Sequence, residues 1–397
     1  MISVNEARAI LAATPSLRDT ETCTLANAVG RILAEPVIAK RTQPPRHMSA
    51  MDGYAVAFKD IENGVSSFSV IGEAPAGGTF ERSVNSGEAV RIFTGGVVPE
   101  GADHIIIQED TARDGNTFTL TDAQSKPRHI RKRGQDFTEG ETLLPAGHRV
   151  KLNDLGLIAN GNHDTLRVLR RPRLAFIASG DELVPPGQNM TDTQIPNSNG
   201  VALAPLVESW GAQCVANVLV QDDKALFTAA IKDLPPVDII VPIGGASVGD
   251  YDYAKDVFYA LGYLPEFEKI AVKPGKPCWF AKGENLVLGL PGNPSSAMVT
   301  AALFLRPLID RLAGAPIENH ISHGRMGHAL PANGARENYL RGVFHINEDG
   351  MVLVSTGDKQ DSGLTKTYAH ASCLVQRLPH AEAMDEGATV CFIPLSG

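Results

Sequence analysis

The stretch from Val237 to Pro294 constrains the fold more than any other part of the sequence. It opens with an apolar run that ends at Ile243 and is followed by two glycines, Gly244 and Gly245. A short apolar run that stops at paired glycines is typical of a buried strand in a parallel sheet. We therefore expect a strand that leads through a glycine-rich loop into a helix, at the edge of an α/β sheet.

The loop after this strand has the composition of an anion-binding site. Its small residues are Gly244, Gly245, Ser247 and Gly249. Glycines let backbone N–H groups approach an anion closely, and the start of a helix adds a favourable dipole. Asp252 follows, and its carboxylate would repel a bare phosphate unless a divalent cation lay between them. An ordinary strand-to-helix turn explains the same glycines, and Asp252 alone fits a helix N-terminal acid, so the loop by itself leaves both interpretations open.

Two rigid loops follow in the same stretch. The turn from Lys273 to Pro277 reads KPGKP and holds two cations, Lys273 and Lys276, between prolines. The segment Gly289 to Pro294 reads GLPGNP and precedes another helical pattern. Either loop alone is typical of a solvated turn. Together with the glycine loop in one α/β unit, they favour a site for an anionic ligand and a metal.

Three acids occupy equivalent places in the predicted α/β region. Glu182 follows the predicted strand 173–179, Asp222 follows the predicted strand 213–220, and Asp252 follows the strand that ends at Ile243. The β-α-β-α-β-α order predicts a doubly wound parallel sheet with right-handed crossovers. Ligands on such sheets bind beyond the carboxyl ends of the strands. Each acid alone is more often structural, but three at strand ends predict a cation site.

Composition narrows the function classes. At about 150 residues per domain, a chain of 397 residues is expected to hold two to four domains. The net charge of −9 argues against a general nucleic-acid binder. No apolar run is long enough to span a membrane, and the N-terminus has no secretory pattern. The five scattered cysteines suggest neither a zinc site nor a disulfide framework, so we expect a soluble cytoplasmic protein.

A predicted all-β region precedes the α/β region. Between residues 54 and 137 short strands alternate with Gly, Pro and Asp. Asp52 lies in an Asp-Gly turn before this region, and local spacing alone favours a simple hairpin turn there. Thr94 precedes two glycines, which fits both an anion loop and an ordinary turn. Asp136 closes the region, after the basic run 126–133, which fits a solvated face or the lining of an anionic pocket.

The last part of the chain returns to β character. Predicted strands at 339–346, 351–355 and 388–393 indicate a small β-barrel or sandwich. Its polar candidates for a site are Arg336, Arg341 and Ser362. From this segment alone, arginines on the surface of a β domain are the simpler interpretation.

A set of motifs runs in order along essentially the whole chain. They are MDGYAV (51–56), GEAPAGG (72–78), IFTGG (92–96), RKRGQDF (131–137), SGDEL (179–183), NSN (197–199), GGASVGDYDY (244–253), KPGKP (273–277) and LPGNPSS (290–296). This combination resembles the MoeA family of molybdopterin molybdenumtransferases, a family also represented by the gephyrin E domain. The resemblance implies a multidomain α/β plus β protein, with a molybdopterin-binding doubly wound sheet, an inserted all-β domain and a C-terminal β-barrel-like domain.

The resemblance also implies boundaries and partners. Residues 1–21 form an N-terminal helix that packs with the α/β domain, and residues 22–47 and 138–168 form a linking domain. Residues 48–137 are the inserted β domain, 169–318 the α/β domain and 319–397 the C-terminal β domain. Family members are homodimers in which the inserted domain faces the α/β domain of the partner subunit. Contact with the molybdopterin adenylyltransferase is a further expectation, whereas nucleic acid and membranes are not expected partners.

The implied reaction is the insertion of molybdate into adenylylated molybdopterin, with release of AMP to give molybdenum cofactor. Mg²⁺ is the implied cofactor, and its implied ligands are Glu182, Asp222 and Asp252. Gly244, Gly245, Ser247 and Gly249 match backbone donors to the phosphates, and Lys273, Lys276, Ser296, Arg341 and Ser362 match positions that cradle molybdate. The resemblance implies that Asp52, from the partner subunit, positions or activates water or binds metal, supported by Thr94 and Asp136.

Two other function classes share parts of this pattern. A molybdopterin adenylyltransferase has the same α/β fold and glycine loop, but it needs neither the inserted β domain nor KPGKP. A receptor-clustering scaffold, a second role of the gephyrin E domain, requires a recruited partner and usually fused neighbouring domains. The sequence leads us to expect no such fused domain, so the transferase is the favoured hypothesis.

Overall fold

The computed structural model of the chain describes residues 1–244, 253–315 and 320–395. The chain divides into two compact units. The first comprises Met1–Glu21, Gly30–Ala34 and Arg167–Gly397, and the second comprises Thr22–Val29 and Glu35–Leu166. Among the described residues, no helix combines the length and the apolar character needed to cross a membrane.

A mixed sheet forms the centre of the first unit. Within the described residues its six strands lie in the order Gln213–Val220, Arg173–Ser179, Ile239–Ile243, Leu286–Gly289, Trp279–Lys282 and Leu264–Phe267. The first four are parallel neighbours, as the alternating pattern predicts. The last two are antiparallel additions that the pattern did not predict. Trp279–Lys282 and Leu286–Gly289 are joined by a tight turn, and so short a connection permits only antiparallel pairing.

Helices cover both faces of this sheet. They are Val4–Ala12, Ser198–Ser209, Lys224–Lys232, Tyr253–Ala260, Pro294–Thr300 and Arg306–Leu312. Along the central strand, Val241 and Ile243 pack into a cluster with Leu203, whereas Ile240 packs into a second cluster with Phe258. Because successive side chains of a strand point to opposite faces, these two clusters lie on opposite faces of the sheet. The doubly wound prediction is therefore confirmed.

The helical segment after the GLPGNP loop contains a π-helical turn. The sequence predicts one helix from Pro294 to Leu312, and the structure divides it at the π-helix Ala301–Leu305. Pro307 has no N–H to donate to the carbonyl four residues earlier. A wider turn before the proline removes the need for that hydrogen bond, which explains the change of helix type.

The C-terminal part of the first unit is a closed β-barrel. Among the described residues its five strands are Ser322–Met326, Glu337–Ile346, Val352–Thr356, Cys373–Arg377 and Thr389–Pro394. The ring closes because Glu337–Ile346 pairs with both Val352–Thr356 and Cys373–Arg377. The short strand Val272–Lys273 adds to Glu337–Ile346 in parallel, and the helix Thr365–Ala369 precedes the strand Cys373–Arg377. Closure decides between the barrel and the sandwich that the sequence left open.

The second unit contains a separate β sheet, in agreement with the all-β expectation. Within the described residues its strands lie in the order His104–Ile107, Gly53–Val56, Glu88–Ile92, Ser67–Ala74, Thr117–Leu120 and Thr111–Asp114. Tyr54, Phe68 and Phe118 form its stacked aromatic core. The ring centroid of Phe118 lies 4.1 Å from that of Tyr54 and 5.4 Å from that of Phe68. The unit also contains the helices Phe58–Glu62 and Asp154–Asn160 and the short strand pairs Met48–Ser49 with Ile130–Arg131 and Val37–Ile38 with Thr142–Leu144.

Candidate active site

A cavity of about 410 Å³ lies at the carboxyl ends of the parallel strands in the first unit. Glu182, Asp222 and Gly244 all line it. Each follows a different strand of the sheet: Glu182 follows Arg173–Ser179, Asp222 follows Gln213–Val220, and Gly244 follows Ile239–Ile243. The structure therefore brings together three residues that the sequence placed at one edge of the sheet. Asp252, Gly245, Ser247 and Gly249, which were predicted to join them, lie outside the described residues.

Further loop residues complete the wall of this cavity. Asn199, at the start of the helix Ser198–Ser209, donates from Nδ2 to the carbonyl oxygen of Gly292 at 2.7 Å. Asn293 lies next to Gly292 in the wall. A Cβ atom on Gly292 would lie 3.4 Å from the Cα of Gly244, so the two glycine loops are in close contact. These asparagines belong to the NSN and LPGNPSS motifs, but the sequence predicts no role in the site for either.

The Asp222 carboxylate is held by an aromatic hydroxyl. Tyr253 donates from its hydroxyl to Oδ1 of Asp222 at 3.1 Å. The backbone N–H of Asp222 donates to Oδ1 of Asp181, also at 3.1 Å. Burial raises the pKa of Tyr253 to about 12, so the phenol keeps its proton at neutral pH and remains a donor. Sequence reasoning missed Tyr253, although it belongs to the quoted GGASVGDYDY motif.

The acids of the cavity fit a Mg²⁺ ion that is shared with a phosphate ligand. Within the described ranges, no three His, Cys, Asp or Glu side chains converge closely enough to hold a metal ion by themselves. Mg²⁺, however, is commonly bound through one or two carboxylates and completes its shell with water and substrate phosphates. Glu182 and Asp222 both line the cavity, and their carboxylates are hard oxygen donors. This donor set suits Mg²⁺ in the presence of a phosphate-bearing ligand.

The lysine turn lies beside the cavity. Pro277 lines the wall, but the side chains of Lys273 and Lys276 are exposed and neither is part of that wall. Gly275, between the lysines, has a φ of +116°, and a Cβ atom there would lie 2.2 Å from Cγ2 of Thr300. The turn thus requires glycine at this position because it packs against the helix Pro294–Thr300.

Three further predicted residues of the first unit, Ser362, Arg341 and Ser296, lie outside the cavity wall. Ser362 accepts a hydrogen bond at Oγ from Nδ2 of Asn293 at 2.9 Å. Because Asn293 lines the cavity, the Ser362 hydroxyl is in direct contact with a residue of the cavity wall. Arg341 is buried and donates from Nη2 to the carbonyl oxygen of Asp361 at 3.1 Å. Burial lowers its pKa, and the neighbouring Asp361 opposes that shift. Ser296 is buried in the helix Pro294–Thr300 and is not part of the cavity wall.

Arg336 holds the strand that leads to the lysine turn. Its Nη1 donates to the carbonyl oxygen of Val272 at 3.3 Å, one residue before Lys273. Its contact is with the backbone of this strand, so the structure gives Arg336 a supporting position and places it outside the cavity wall.

Asp52 has a defined position in the second unit. Its Oδ1 accepts hydrogen bonds from both the backbone N–H of Thr94, at 2.7 Å, and the Thr94 hydroxyl, at 2.8 Å. These two bonds hold the pKa of Asp52 below its usual value, because they stabilise the ionised carboxylate. The prediction of a simple hairpin turn is wrong. Met48–Ser49, before the turn, pairs with Ile130–Arg131, and Gly53–Val56, after it, pairs with His104–Ile107 and Glu88–Ile92.

A second cavity, of about 460 Å³, belongs to the second unit alone. Asp136, Arg131, Met48 and Gly95 are among the residues that line it. Gly95 directly follows Thr94, so the loop that binds Asp52 also forms part of this wall. Within the basic run 126–133, Arg131 lines this cavity and Arg133 lines another cavity of the second unit. Both side chains are nevertheless exposed, as are the other Lys and Arg side chains of the run, so both interpretations stay open.

Three family models match successive parts of the chain. Residues 2–161 match the MoeA N-terminal region (domain I and II), residues 175–311 match a probable molybdopterin binding domain, and residues 323–395 match the MoeA C-terminal region (domain IV). The matches follow one another in the order that the motifs predict.

Full-length relatives agree with these matches. The chain is 33% identical to a molybdopterin molybdenumtransferase of Haemophilus influenzae, with 100% of this chain and 99% of that protein covered. It is 34% identical to a molybdopterin molybdenumtransferase of a Nostoc species, with 90% and 85% covered. Among solved structures, the molybdopterin biosynthesis MoeA protein of Pyrococcus horikoshii is similar over 100% of both chains, with a TM-score of 0.82 and 27% identity.

Proposed function

Because the chain belongs to the MoeA family, we propose that it is a molybdopterin molybdenumtransferase of molybdenum cofactor biosynthesis. The reaction inserts molybdate into adenylylated molybdopterin, releases AMP and gives molybdenum cofactor. The observation that carries this proposal is the meeting of Glu182, Asp222 and Gly244 in one cavity at the carboxyl ends of the parallel strands. Such a cavity is where α/β sheets bind phosphate-bearing ligands.

The acids and the glycine loop have complementary tasks in this proposal. The substrate carries a phosphoanhydride that links its pterin phosphate to AMP, and its negative charge is incompatible with two bare carboxylates. Mg²⁺ held by Glu182 and Asp222, with Asp252 as a third ligand, would neutralise that charge and polarise the phosphate oxygens. Backbone N–H groups of the loop 244–249 then hold the phosphates in place, with Gly244, Gly245, Ser247 and Gly249 as the residues that allow close approach.

Molybdate is a tetrahedral dianion and needs several donors around it. We assign this cradle to Lys273, Lys276, Ser296, Arg341 and Ser362. Two observations support the assignment. The Ser362 hydroxyl is hydrogen-bonded to Asn293 in the cavity wall. Arg341 is a buried cation that donates to the carbonyl oxygen of Asp361, the residue before Ser362. Lysines supply compact positive charge, whereas a guanidinium supplies directed N–H groups, so the two side-chain types recognise an oxyanion differently.

Asp52 is assigned to the water that attacks the phosphoanhydride. Because its pKa lies below the usual value, its carboxylate stays ionised and is a weak proton acceptor. Orienting the water, or binding a metal that does so, therefore fits Asp52 better than proton abstraction. Thr94 fixes the Asp52 carboxylate through two hydrogen bonds. Asp136 is assigned, like Thr94, to the side of the site that the inserted β domain contributes.

The remaining sequence expectations are part of the proposal. They are a homodimer in which Asp52 serves the partner subunit's site, a cytoplasmic location, contact with the molybdopterin adenylyltransferase, and the division into the five parts given above. The cytoplasmic location follows from the composition, and the other expectations follow from the family resemblance.

The direct test is AMP release. Purified protein is mixed with adenylylated molybdopterin and molybdate, with and without Mg²⁺, and AMP is quantified by chromatography. We expect release that requires both molybdate and Mg²⁺, and reactions that lack molybdate or contain the Glu182→Gln protein serve as controls. Failure of folded protein to release AMP contradicts the proposal. Formation of the adenylylated adduct from ATP and free molybdopterin would instead identify an adenylyltransferase.

A further inference from the structure

Tyr253 connects three elements of the acidic cavity. It opens the helix Tyr253–Ala260, and its hydroxyl donates to Oδ1 of Asp222 at 3.1 Å. The Ser179 side chain is a second hydrogen-bond partner of the same hydroxyl. Ser179 ends the strand Arg173–Ser179 and lines the cavity. The phenol therefore links the ends of two neighbouring strands to the helix that follows a third.

The Tyr253 ring cannot move easily. The residue is only 5% exposed and belongs to a buried cluster with Ile240 and Phe258. Its ring packs edge-on against Phe227 with centroids 5.7 Å apart. A rigid ring holds its hydroxyl at a fixed point, whereas the Asp222 side chain is exposed to solvent. The hydrogen bond from this fixed hydroxyl therefore restricts the orientation of the Asp222 carboxylate.

We propose that Tyr253 is a positioning residue for the divalent cation of this site, because its hydroxyl fixes the orientation of the Asp222 carboxylate and leaves the other carboxylate oxygen to the metal. This inference rests on the proposed function, in which Asp222 is a metal ligand. Asp181 assists by accepting the hydrogen bond from the Asp222 backbone, so both ends of the residue are held. Partners that orient a metal ligand typically affect metal affinity by about 10–100-fold when they are removed.

The chain offers a matched control for this role. Tyr263 is also a buried tyrosine, 8% exposed, and donates from its hydroxyl to Oδ1 of Asn285 at 3.0 Å. Tyr263 is not part of the cavity wall. Tyr253→Phe and Tyr263→Phe thus remove the same atom, and both keep the ring in its packing. The first variant loses the hydrogen bonds to Asp222 and Ser179, and the second loses the hydrogen bond to Asn285.

The experiment measures metal binding rather than turnover. Mn²⁺ is titrated into the full-length wild-type and variant proteins in the presence of AMP, and unbound Mn²⁺ is followed by electron paramagnetic resonance. We expect Tyr253→Phe to weaken Mn²⁺ binding by about tenfold and Tyr263→Phe to leave it unchanged. Ser179→Ala, which removes the hydroxyl behind Tyr253, is expected to give a smaller loss of the same kind. Thermal denaturation of each variant checks that the fold is kept.

The outcomes separate this inference from the proposed function. Equal Mn²⁺ affinity in wild type and Tyr253→Phe overturns the role of Tyr253 while the metal site stands. A comparable loss in Tyr263→Phe also overturns it, since the effect would then be a general one on the fold. If AMP binding without metal falls as much as Mn²⁺ binding does, Tyr253 orients the nucleotide and the inference is wrong. If wild type binds no Mn²⁺ with AMP present, the metal site and the inference both fail.

Discussion

Two aspartates, Asp222 in the first unit and Asp52 in the second, are held by hydroxyl groups in different ways. Asp222 accepts its hydrogen bond from a buried tyrosine and shares a cavity wall with Glu182. Asp52 accepts hydrogen bonds at one oxygen from the backbone and the hydroxyl of the same threonine. The charge of Asp52 is thus stabilised locally, whereas the proposed function gives Glu182 and Asp222 a cation from outside. The first region is suited to binding a metal, and the second to holding a single charged group in place.

The largest effect is expected from the grouped acids. Glu182→Gln or Asp222→Asn should lower the kcat/KM of AMP release by about 100-fold or more, because metal ions contribute several kcal/mol of charge stabilisation in such reactions. Excess Mg²⁺ should recover part of the loss. Glu208→Gln, an exposed acid on the helix Ser198–Ser209, is the control. Wild-type turnover in both cavity variants would remove the metal from this region.

A second test concerns the isolated aspartate. Asp52→Ala should lower turnover by about 100-fold, because a group that positions or activates water typically contributes that much or more. Folding and dimerisation should be kept, since the side chain is outside the aromatic core of its unit, and Mn²⁺ affinity with AMP should fall much less than in Asp222→Asn. Asp114→Ala, at the exposed end of the strand Thr111–Asp114, is the control. A rate equal to wild type would exclude Asp52 from the site.

The lysine turn tests whether cations outside the acidic wall serve a different anion. Lys276→Ala should raise the molybdate concentration needed for half-maximal AMP release by about tenfold, as expected for the loss of one charged hydrogen bond. The Mg²⁺ requirement should stay the same. Lys282→Ala, which removes a lysine paired with Glu266, is the matched control. An unchanged molybdate requirement would reject the cradle.

The smallest effect is expected from the threonine that holds Asp52. Thr94→Val removes one of two donors, so the pKa of Asp52 should rise part of the way toward its ordinary value, with a loss of turnover of a few-fold. A carboxylate whose pKa is lowered by folding stabilises the protein above its unfolded pKa, and this contribution is lost as pH falls through the lowered folded pKa. The variant should therefore lose less stability on acidification. Carbon-detected NMR titration of Asp52 measures the shift, and an identical pKa in both proteins would contradict it.

The sequence predicts repeated local patterns well and distant partners poorly. The strands 173–179 and 213–220 were predicted with their observed limits. The first is buried and is a nearly continuous apolar run, as expected for the interior of a parallel sheet. The second is a partly exposed strand at the edge of the sheet. The turn at Asp52 was misinterpreted because local spacing does not show that its flanking strands pair with residues 88–92, 104–107 and 130–131.

The hydrogen bonds of the two hydroxyl donors could not be predicted for a similar reason. The family resemblance implies a supporting role for Thr94 without its hydrogen bonds, and it gives Tyr253 no role. Their hydrogen bonds to Asp52 and Asp222 join residues 42 and 31 positions apart in the sequence, and only the folded chain selects them. Periodicity and composition carry no information about such pairs. The shared position of Glu182 and Asp222 at the carboxyl ends of parallel strands, by contrast, follows directly from the order of helices and strands.

The central claim is that the acids at the strand ends bind a divalent cation together with the phosphates of the substrate. A crystal soaked with AMP, molybdate and Mn²⁺ tests it most directly, since anomalous scattering locates the metal. The account predicts Mn²⁺ within about 2.5 Å of oxygens from Glu182 or Asp222 and from the AMP phosphate. Mn²⁺ bound elsewhere, with AMP in the cavity and both carboxylates turned away from it, would contradict the account.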